Sequence, residues 1–417
     1  MSVPERAVLA AVKLPRQRRT DVEESLDELE RLAESAGARV VGRLTQERQA
    51  PSAALYFGRG KVEEIRALSD RERADLVIAD DPLSPIQERN LGDSVRRRVI
   101  DRTVLILDIF AQRARTMEGK LQVELAQLSY LLPRLVGQWK HLERLGGGIG
   151  TRGPGETQIE SDRRLIRRRI RKIAEELERV RVHRRLLRDR RRASGMPVVA
   201  LVGYTNAGKT TLLNRLTGAG RTAADQLFVT LDPTARLVDA PPHPAFILTD
   251  TVGFIRKLPH QLVAAFKATL EELAEADVLV HVVDASHPAL EDHMEAVRAL
   301  LAELELPPRP VIVALNKADR VDSAAELRAL VDRFDGVAVS ARSGQGMDAL
   351  LERVHAALRP RAERLTLRIP YGNGPALALC YDRGRVLERA DGPDGIRLTV
   401  ELPRRLAAAV DEFRERG

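Results

Sequence analysis

The sequence predicts an α/β protein. A doubly wound domain is preceded by an N-terminal α/β domain and a long antiparallel helical hairpin, and is followed by a small C-terminal α/β domain. Three observations carry that expectation. Apolar strand-like runs alternate with amphipathic helical stretches over residues 6–115. Leucines then recur in alternating steps of four and three between Leu121 and Leu142. Beyond them, MPVVALVGYTNAGKTTLLNRL (196–216) opens a series of motifs, each at the end of an apolar run. The expected domains are 1–115, 116–193, 194–360 and 361–417.

Bulk properties narrow the class. A chain of 417 residues, 44% hydrophobic and 31% charged, supports two to four globular domains. Aromatics make up 3%, too few for base stacking to dominate any nucleic-acid binding. The start, MSVPERAVLAAVKLPRQRR, is not a secretory signal, and the last residues, EFRERG, carry no lipidation motif. No apolar run approaches the ~20 residues that span a bilayer. Cys380 is the only cysteine, which excludes an internal disulfide and a thiolate zinc site. A cytoplasmic protein with no stable membrane insertion is the expectation. The net charge is +8, carried mainly by arginine.

In the N-terminal domain, VLAAVKL (8–14) leads into the acidic helical stretch VEESLDELERLAESA (22–36). ADLVIAD (74–80) and TVLILDIF (103–110) are expected to be buried parallel strands. Gly58-Arg59-Gly60-Lys61 opens a helix. A phosphate could sit on its backbone N–H groups, but an ordinary strand-to-helix turn also accounts for it.

The 4-3 seam of Leu121, Leu125, Leu128, Leu132, Leu135, Trp139 and Leu142 predicts a helix of roughly 28 residues, kinked at Pro133. A second helix is expected from near Glu156 to about Arg192, with Ile166, Ile170, Ile173, Leu177, Val180 and Leu187 on one stripe and Arg184 interrupting it. Two stripes that satisfy each other make an antiparallel hairpin and a monomer. The joining segment, LGGGIGTRGPGET (145–157), contains Gly148-x-Gly150-x-x-Gly153. A dinucleotide fingerprint needs a strand before its first glycine, and here a helix precedes it, so the segment reads instead as a slim tip. Lys140, Arg144 and Arg152 lie in or beside that tip. Between Arg163 and Arg192 there are 15 basic and 4 acidic residues, a net +11. Such a stripe is the footprint of polyphosphate binding, with a solvated helix face as the alternative.

The phosphate-binding signal is strong at 203–211. Gly203-x-x-x-x-Gly208-Lys209-Thr210 follows an apolar strand and opens a helix, so backbone N–H groups of Gly203, Tyr204, Thr205, Asn206, Ala207 and Gly208 can turn toward phosphates. Lys209 supplies a point charge, Thr210 a hydroxyl for Mg²⁺, and Thr211 continues the contact. Phe228, Val229 and Thr230 lie in LFVTLDPTAR (227–236), read as a loop, where the hydroxyl of Thr230 or of Thr234 could close over the metal when a γ-phosphate is present. FILTDTVGF (246–254) supplies Asp250, Thr251, Val252 and Gly253, with Asp250 reaching Mg²⁺ through water and the Gly253 N–H reaching a γ-phosphate. VIVALNKAD (311–319) places Asn316, Lys317 and Asp319 at another strand end. A carboxylate there pairs with guanine N1–H and N2–H₂ and is left unpaired by adenine, so GTP and GDP are the expected ligands. VAVSARSGQG (337–346) adds Ser340, Ala341 and Arg342 beside the base. These residues predict a P-loop GTPase domain. Phe254 follows Gly253 where many such enzymes carry a water-orienting Gln, so intrinsic hydrolysis is expected to be slow and stimulated from outside.

The segments DRTVLILDIFAQRARTMEGKLQVELAQLSYLLPRL, GGGIGTRGPGETQIESDRR, GYTNAGKTTLLNRLT, ADQLFVTLDPTAR and DTVGFIRKLP are similar to those of the HflX family of ribosome-associated GTPases, over nearly the whole chain. The resemblance implies a GTP-dependent factor that binds the large ribosomal subunit and its ribosomal RNA and splits stalled or stress-damaged ribosomes. It implies that the hairpin tip enters the peptidyl transferase centre. Lys140, Arg144, Gly148, Arg152, Arg163, Arg164, Arg167 and Arg168 are then the expected RNA contacts. It also implies a second nucleotide activity at Gly58–Lys61, and Asn206 stands where potassium-activated GTPases of this class place an asparagine, so K⁺ is expected to assist hydrolysis. A GTP-gated RNA chaperone or large-subunit assembly factor that does not split ribosomes shares every one of these features. Residues 361–417 add two strand-like runs, RLTLRIPY and GIRLTVELP, and a helix in RRLAAAVDEF.

Overall fold

The computed structural model describes residues 4–138, 154–193, 196–218, 228, 234–239, 241, 244–257, 273–304, 306–358 and 362–415. They fall into two compact units, Met1–Met347 and Asp348–Gly417.

The first unit begins with a four-stranded parallel sheet built from β1 (Arg6–Lys13), β2 (Arg39–Glu47), β3 (Leu76–Ala79) and β4 (Arg98–Asp101), in the order β2-β1-β3-β4. The continuous apolar run of β1 follows from its place in the interior. Ala7, Leu9 and Ala11 face a core shared with α1 (Arg19–Ser35) and α4 (Arg102–Arg113), while Val8, Ala10 and Val12 face α2 (Arg59–Arg71) and α3 (Pro85–Val95). Helices therefore cover both faces, and the strand order reverses between β1 and β3. That reversal opens a crevice beyond the carboxyl ends of these strands, near Asp80.

TVLILDIF, expected to be a strand, is instead the body of α4. A mostly apolar run is compatible with either element. The Asp101 side chain settles the matter by accepting from Val104 N at 3.0 Å, capping a helix whose Leu105, Ile106, Ile109 and Phe110 are buried. The strand of this region is the short β4 just before it.

Helix α5 (Met117–Gln138) packs along α6 (Pro154–Ala193). Leu121, Leu125 and Leu128 meet Ile173 and Leu177, and Arg169 makes two bonds to Glu124 at 2.7 and 2.8 Å. Trp139, Leu142 and residues 145–153 of the glycine-rich segment lie outside the described residues, as does the side chain of Leu187, while Pro154–Thr157 belong to α6. The leucine seam is not the whole of α5. Val123, Ala126 and Tyr130 pack into the core shared with α1 and α4, so this helix is anchored on the N-terminal sheet as well as on α6.

The second sheet has six strands in the order β10-β9-β8-β5-β7-β6. They are β5 (Val198–Gly203), β6 (Thr234–Val238), β7 (Phe246–Asp250), β8 (Val278–Asp284), β9 (Val311–Asn316) and β10 (Gly336–Ala338), all parallel except the β6–β7 pair. Thr234–Arg236, read as loop, belongs to the edge strand β6. The helices are α7 (Lys209–Thr217), α8 (Leu290–Glu303) and α9 (Ala324–Phe334), with α10 (Met347–Leu358) following in the chain.

The second unit contains the antiparallel sheet β11 (Ala362–Ile369), β13 (Gly395–Pro403) and β12 (Arg385–Gly392), in that order, with α11 (Gly374–Arg383) between β11 and β12 in sequence. Leu365, Leu367, Ile369, Cys380, Leu398 and Val400 form its core. The last helical segment begins with α12 (Arg404–Ala407).

Candidate nucleotide-binding site

Strand β5 is buried along its length and ends in the phosphate loop. Gly208 caps α7 at φ +96°, and a Cβ there would stand 2.2 Å from Asn316 Nδ2. Only glycine fits both the left-handed backbone and that approach. Lys209 is buried, and its Nζ donates to Gly203 O at 2.9 Å and Tyr204 O at 2.8 Å. Burial lowers its pKa to about 8, with Asp250 only partly offsetting that effect. A buried ammonium at a helix N-terminus is a ready receptor for phosphate oxygens.

Thr210 Oγ1 donates to Asp250 Oδ2 at 2.7 Å. A hydroxyl and a carboxylate side by side are the hard oxygen donors that Mg²⁺ takes, so the residues present fit this ion. Thr211 is half-buried in the first turn of α7, and Thr251 Oγ1 ties the Asp250 segment to Leu201 O at 2.7 Å.

At the other end of the site, the Asn316 amide acts as a brace. Its Nδ2 donates to Ala207 O at 2.8 Å, and its Oδ1 accepts from Ala341 N at 2.9 Å. The phosphate loop and the Ser340–Ala341 loop are thereby held together. Lys317 Nζ pairs with Asp284 Oδ2 at 2.6 Å. Asp319 and Arg342 are exposed at the rim, and Ser340 is buried. The structure thus brings the predicted residues of the phosphate loop, Asp250–Gly253, Asn316–Asp319 and Ser340–Arg342 to one edge of one sheet. Val229 and Thr230 lie outside the described residues.

Two expected site residues have side chains engaged elsewhere. Phe228 is buried with its ring edge-on to Phe110 of α4, centroids 4.6 Å apart, and Val252 belongs to the same core. Phe254 points into the core with Val202, Leu273 and Val297. It cannot handle a water molecule.

Sequence reasoning missed how firmly the N-terminal domain grips this site. The Tyr204 hydroxyl donates to Glu28 of α1 and accepts from Arg256 N at 2.8 Å, while its ring stacks on His293 at 3.8 Å. Burial, then the Glu28 charge, push the Tyr204 pKa up and keep it a neutral donor. Arg256 bonds Glu24 at 3.0 Å and Asp292 at 2.8 Å. Lys257 reaches Asp80 and Asp81. A cavity of about 280 Å³ lies between α1 and the phosphate loop, lined among others by Glu28, Arg31, Tyr204, Asn206 and His287. No motif marks these pairs, because each partner is an ordinary charged or aromatic residue in its own segment.

At Gly58–Lys61 two of the donors are engaged within the chain. Gly58 N donates to Gln46 Oε1 at 2.8 Å, and Lys61 Nζ pairs with Glu64 at 2.5 Å.

A phosphate loop joined through a hydroxyl–carboxylate pair to the neighbouring strand end, on a sheet of this order, makes the protein a P-loop GTPase, an enzyme that hydrolyses GTP. Four family descriptions match along the chain: GTP-binding GTPase N-terminal over residues 23–111, GTP-binding GTPase middle region over 113–191, 50S ribosome-binding GTPase over 198–317, and HflX C-terminal domain over 327–415. A GTPase HflX of Caldanaerobacter subterraneus subsp. tengcongensis is 47% identical over 398 residues, covering 95% of this chain and 91% of the relative. That of Escherichia coli K12 is 46% identical over 386 residues, covering 91% and 90%. A GTP-binding protein from Sulfolobus solfataricus, solved in complex with GDP, is 26% identical with a TM-score of 0.46, covering 85% of this chain and 98% of that one. The chain belongs to the HflX family of GTPases.

Proposed function

We propose that the protein uses GTP to engage the large ribosomal subunit and separate stalled or stress-damaged ribosomes into subunits, acting in the cytoplasm as a monomer. The observation that carries this reading is the two-sided character of α6. Ile173 and Leu177 bury one face against α5, while Arg164, Arg167 and Arg168 are exposed and Arg163 is partly so. A cationic helix anchored to a nucleotide-gated body is suited to structured RNA, whose phosphates attract it in a salt-dependent way. Lys140, Arg144, Gly148 and Arg152 extend the proposed contact into residues outside those described. The match to a family described as 50S ribosome-binding GTPase supports the same partner.

In this reading Lys209 and loop N–H groups hold the phosphates, and Asp319 selects guanine with the Ser340–Arg342 loop beside the base. Thr210, Asp250 and Thr230 serve Mg²⁺, directly or through water. Burial of Phe254 leaves no side chain at that position to orient water, so turnover is slow until the ribosome supplies the missing group. Asn206 holds a backbone φ of +62° in the loop and is the proposed K⁺ ligand; equal rates in KCl and NaCl would remove that role.

Gradient sedimentation of intact ribosomes with the protein and a non-hydrolysable GTP analogue tests the function. Loss of the 70S peak is expected. Co-migration without dissociation would favour an RNA chaperone or assembly factor instead. Charge reversal of Arg163, Arg164, Arg167 and Arg168 should weaken the association, and an unchanged affinity would reduce the stripe to a solvated face.

A further inference from the structure

Thr205 is 7% exposed, and its Oγ1 is buried without a hydrogen-bond partner among the described residues. A buried hydroxyl left unpaired is costly, and a native site that keeps one generally has a partner arriving from outside the chain. The surroundings say what kind. Thr205 N donates to Phe254 O at 2.7 Å, and Phe254 N donates to Gly203 O at 3.1 Å. These two bonds lock the third residue of the phosphate loop against the Asp250-x-x-Gly253 turn. The contact is so close that a Cβ placed on Gly253 would stand 2.9 Å from both Cα and Cγ2 of Thr205, and 3.1 Å from Lys209 Nζ. An ammonium, the Gly253 backbone and the Thr205 side chain therefore converge within a few ångströms, and the hydroxyl of that side chain has no bond among the described residues. Donors gathered in this way suit an oxyanion. Further along the loop, Gly208 caps α7 and Asn316 braces Ala207.

We infer that the Thr205 hydroxyl is a triphosphate-specific contact: it donates to an oxygen of the terminal phosphate of GTP, a group that GDP lacks. The inference rests on the assignment of this loop to GTP and deepens it. Thr205 then helps the chain distinguish its substrate from its product, in a protein whose Phe254 cannot do so with a side chain.

Thr205→Val tests this in the full chain, because it removes the hydroxyl and keeps the methyl group that rests on Gly253. Thr205→Ser is the companion that keeps the hydroxyl. Equilibrium binding of GDP and of a non-hydrolysable GTP analogue is measured for each, followed by single-turnover hydrolysis. The expected result is GDP affinity unchanged within about twofold for Thr205→Val, analogue affinity weakened about tenfold, and hydrolysis slowed in parallel. Thr205→Ser should restore both. If Thr205→Val weakens GDP and the analogue alike, the hydroxyl merely supports the loop and the inference fails. If neither affinity changes, the hydroxyl makes no phosphate contact and the inference fails too. Failure of the underlying site assignment would look different: the unaltered protein would not bind guanine nucleotides.

Discussion

Lys257 Nζ lies 2.5 Å from Asp80 Oδ2 and 2.6 Å from Asp81 Oδ1, so a residue three places after the Phe254 turn sits in the crevice at the carboxyl end of β3. Open parallel sheets bind ligands at such a point of strand reversal. Here the chain fills the place with its own ammonium. Asp80 is shared with Arg102, whose guanidinium bonds Asp80 and Glu28, and Glu28 in turn receives the Tyr204 hydroxyl. A continuous run of ionic contacts therefore joins the phosphate loop to the segment beyond Gly253 by way of the N-terminal domain.

The two cations on Asp80 should differ in weight. Arg102 is fully buried, whereas the Lys257 side chain is 28% exposed. Asp80→Asn leaves Arg102 with one fewer counter-charge and should cost about 3–5 kcal/mol. Lys257→Met leaves Asp80 paired with Arg102 and Ser25 and should cost about 1–2 kcal/mol. Urea midpoints followed by circular dichroism check the order. Equal losses would place Lys257 on a par with Arg102.

Acid should act on the same cluster. Burial by itself would raise the Asp80 pKa, but Arg102 and then Lys257 outweigh it and hold the carboxyl at about 2, below its ordinary 3.8. A depressed folded-state pKa contributes stability above the unfolded value and loses it as pH falls through the folded one. That contribution is intact above about pH 4 and disappears toward pH 2. Lys257→Met weakens the opposition to burial, so its acid-unfolding midpoint should lie at higher pH than that of the unaltered protein. Coincident midpoints would show that Lys257 does not hold the carboxyl down.

Phosphate binding should depend on pH from the alkaline side. Burial opposes the charge of Lys209 and lowers its pKa to about 8. A bound diphosphate favours the ammonium, so binding takes up a proton once the pH exceeds that value. GDP affinity should be level below about pH 8 and weaken by up to tenfold over the next pH unit. Titration calorimetry in buffers of different ionisation enthalpy would reveal the proton uptake. A constant affinity with no proton linkage would mean that the ammonium stays charged throughout.

Base selection should be convertible. Asp319→Asn replaces two acceptor positions with one acceptor and one donor. Guanine then faces a donor opposite its own amino group, and xanthine, with a carbonyl at that position, finds a partner. GDP affinity should fall on the order of a hundredfold, with xanthosine diphosphate gaining by comparison. Unchanged preference in competition binding would remove Asp319 from the base contact.

The nucleotide site was readable because its chemistry is local. A glycine must take φ +96° at position 208, a cation must follow it, and carboxylates must stand at neighbouring strand ends. Each of those needs leaves a short motif, and strand-end motifs of a doubly wound sheet gather at one edge once the strands pair. The 4-3 leucine spacing announced the α5–α6 contact for the same reason, since Leu121, Leu125 and Leu128 meet one groove. The TVLILDIF run is a helix and not the expected strand because a short, mostly apolar stretch with one charge, Asp108, shows no clear period, and the carboxylate of Asp101 decides in favour of the helix.

The sequence by itself determined what each segment can bind and which face of it must be buried. Only the tertiary structure decided what the N-terminal domain does with its crevice, that Phe110 packs on Phe228, and that Glu28 reaches Tyr204 across 176 positions of chain. Those contacts join residues that are individually unremarkable and far apart in sequence. Charge attraction and burial have no periodicity, so only folding reveals which partner each residue takes.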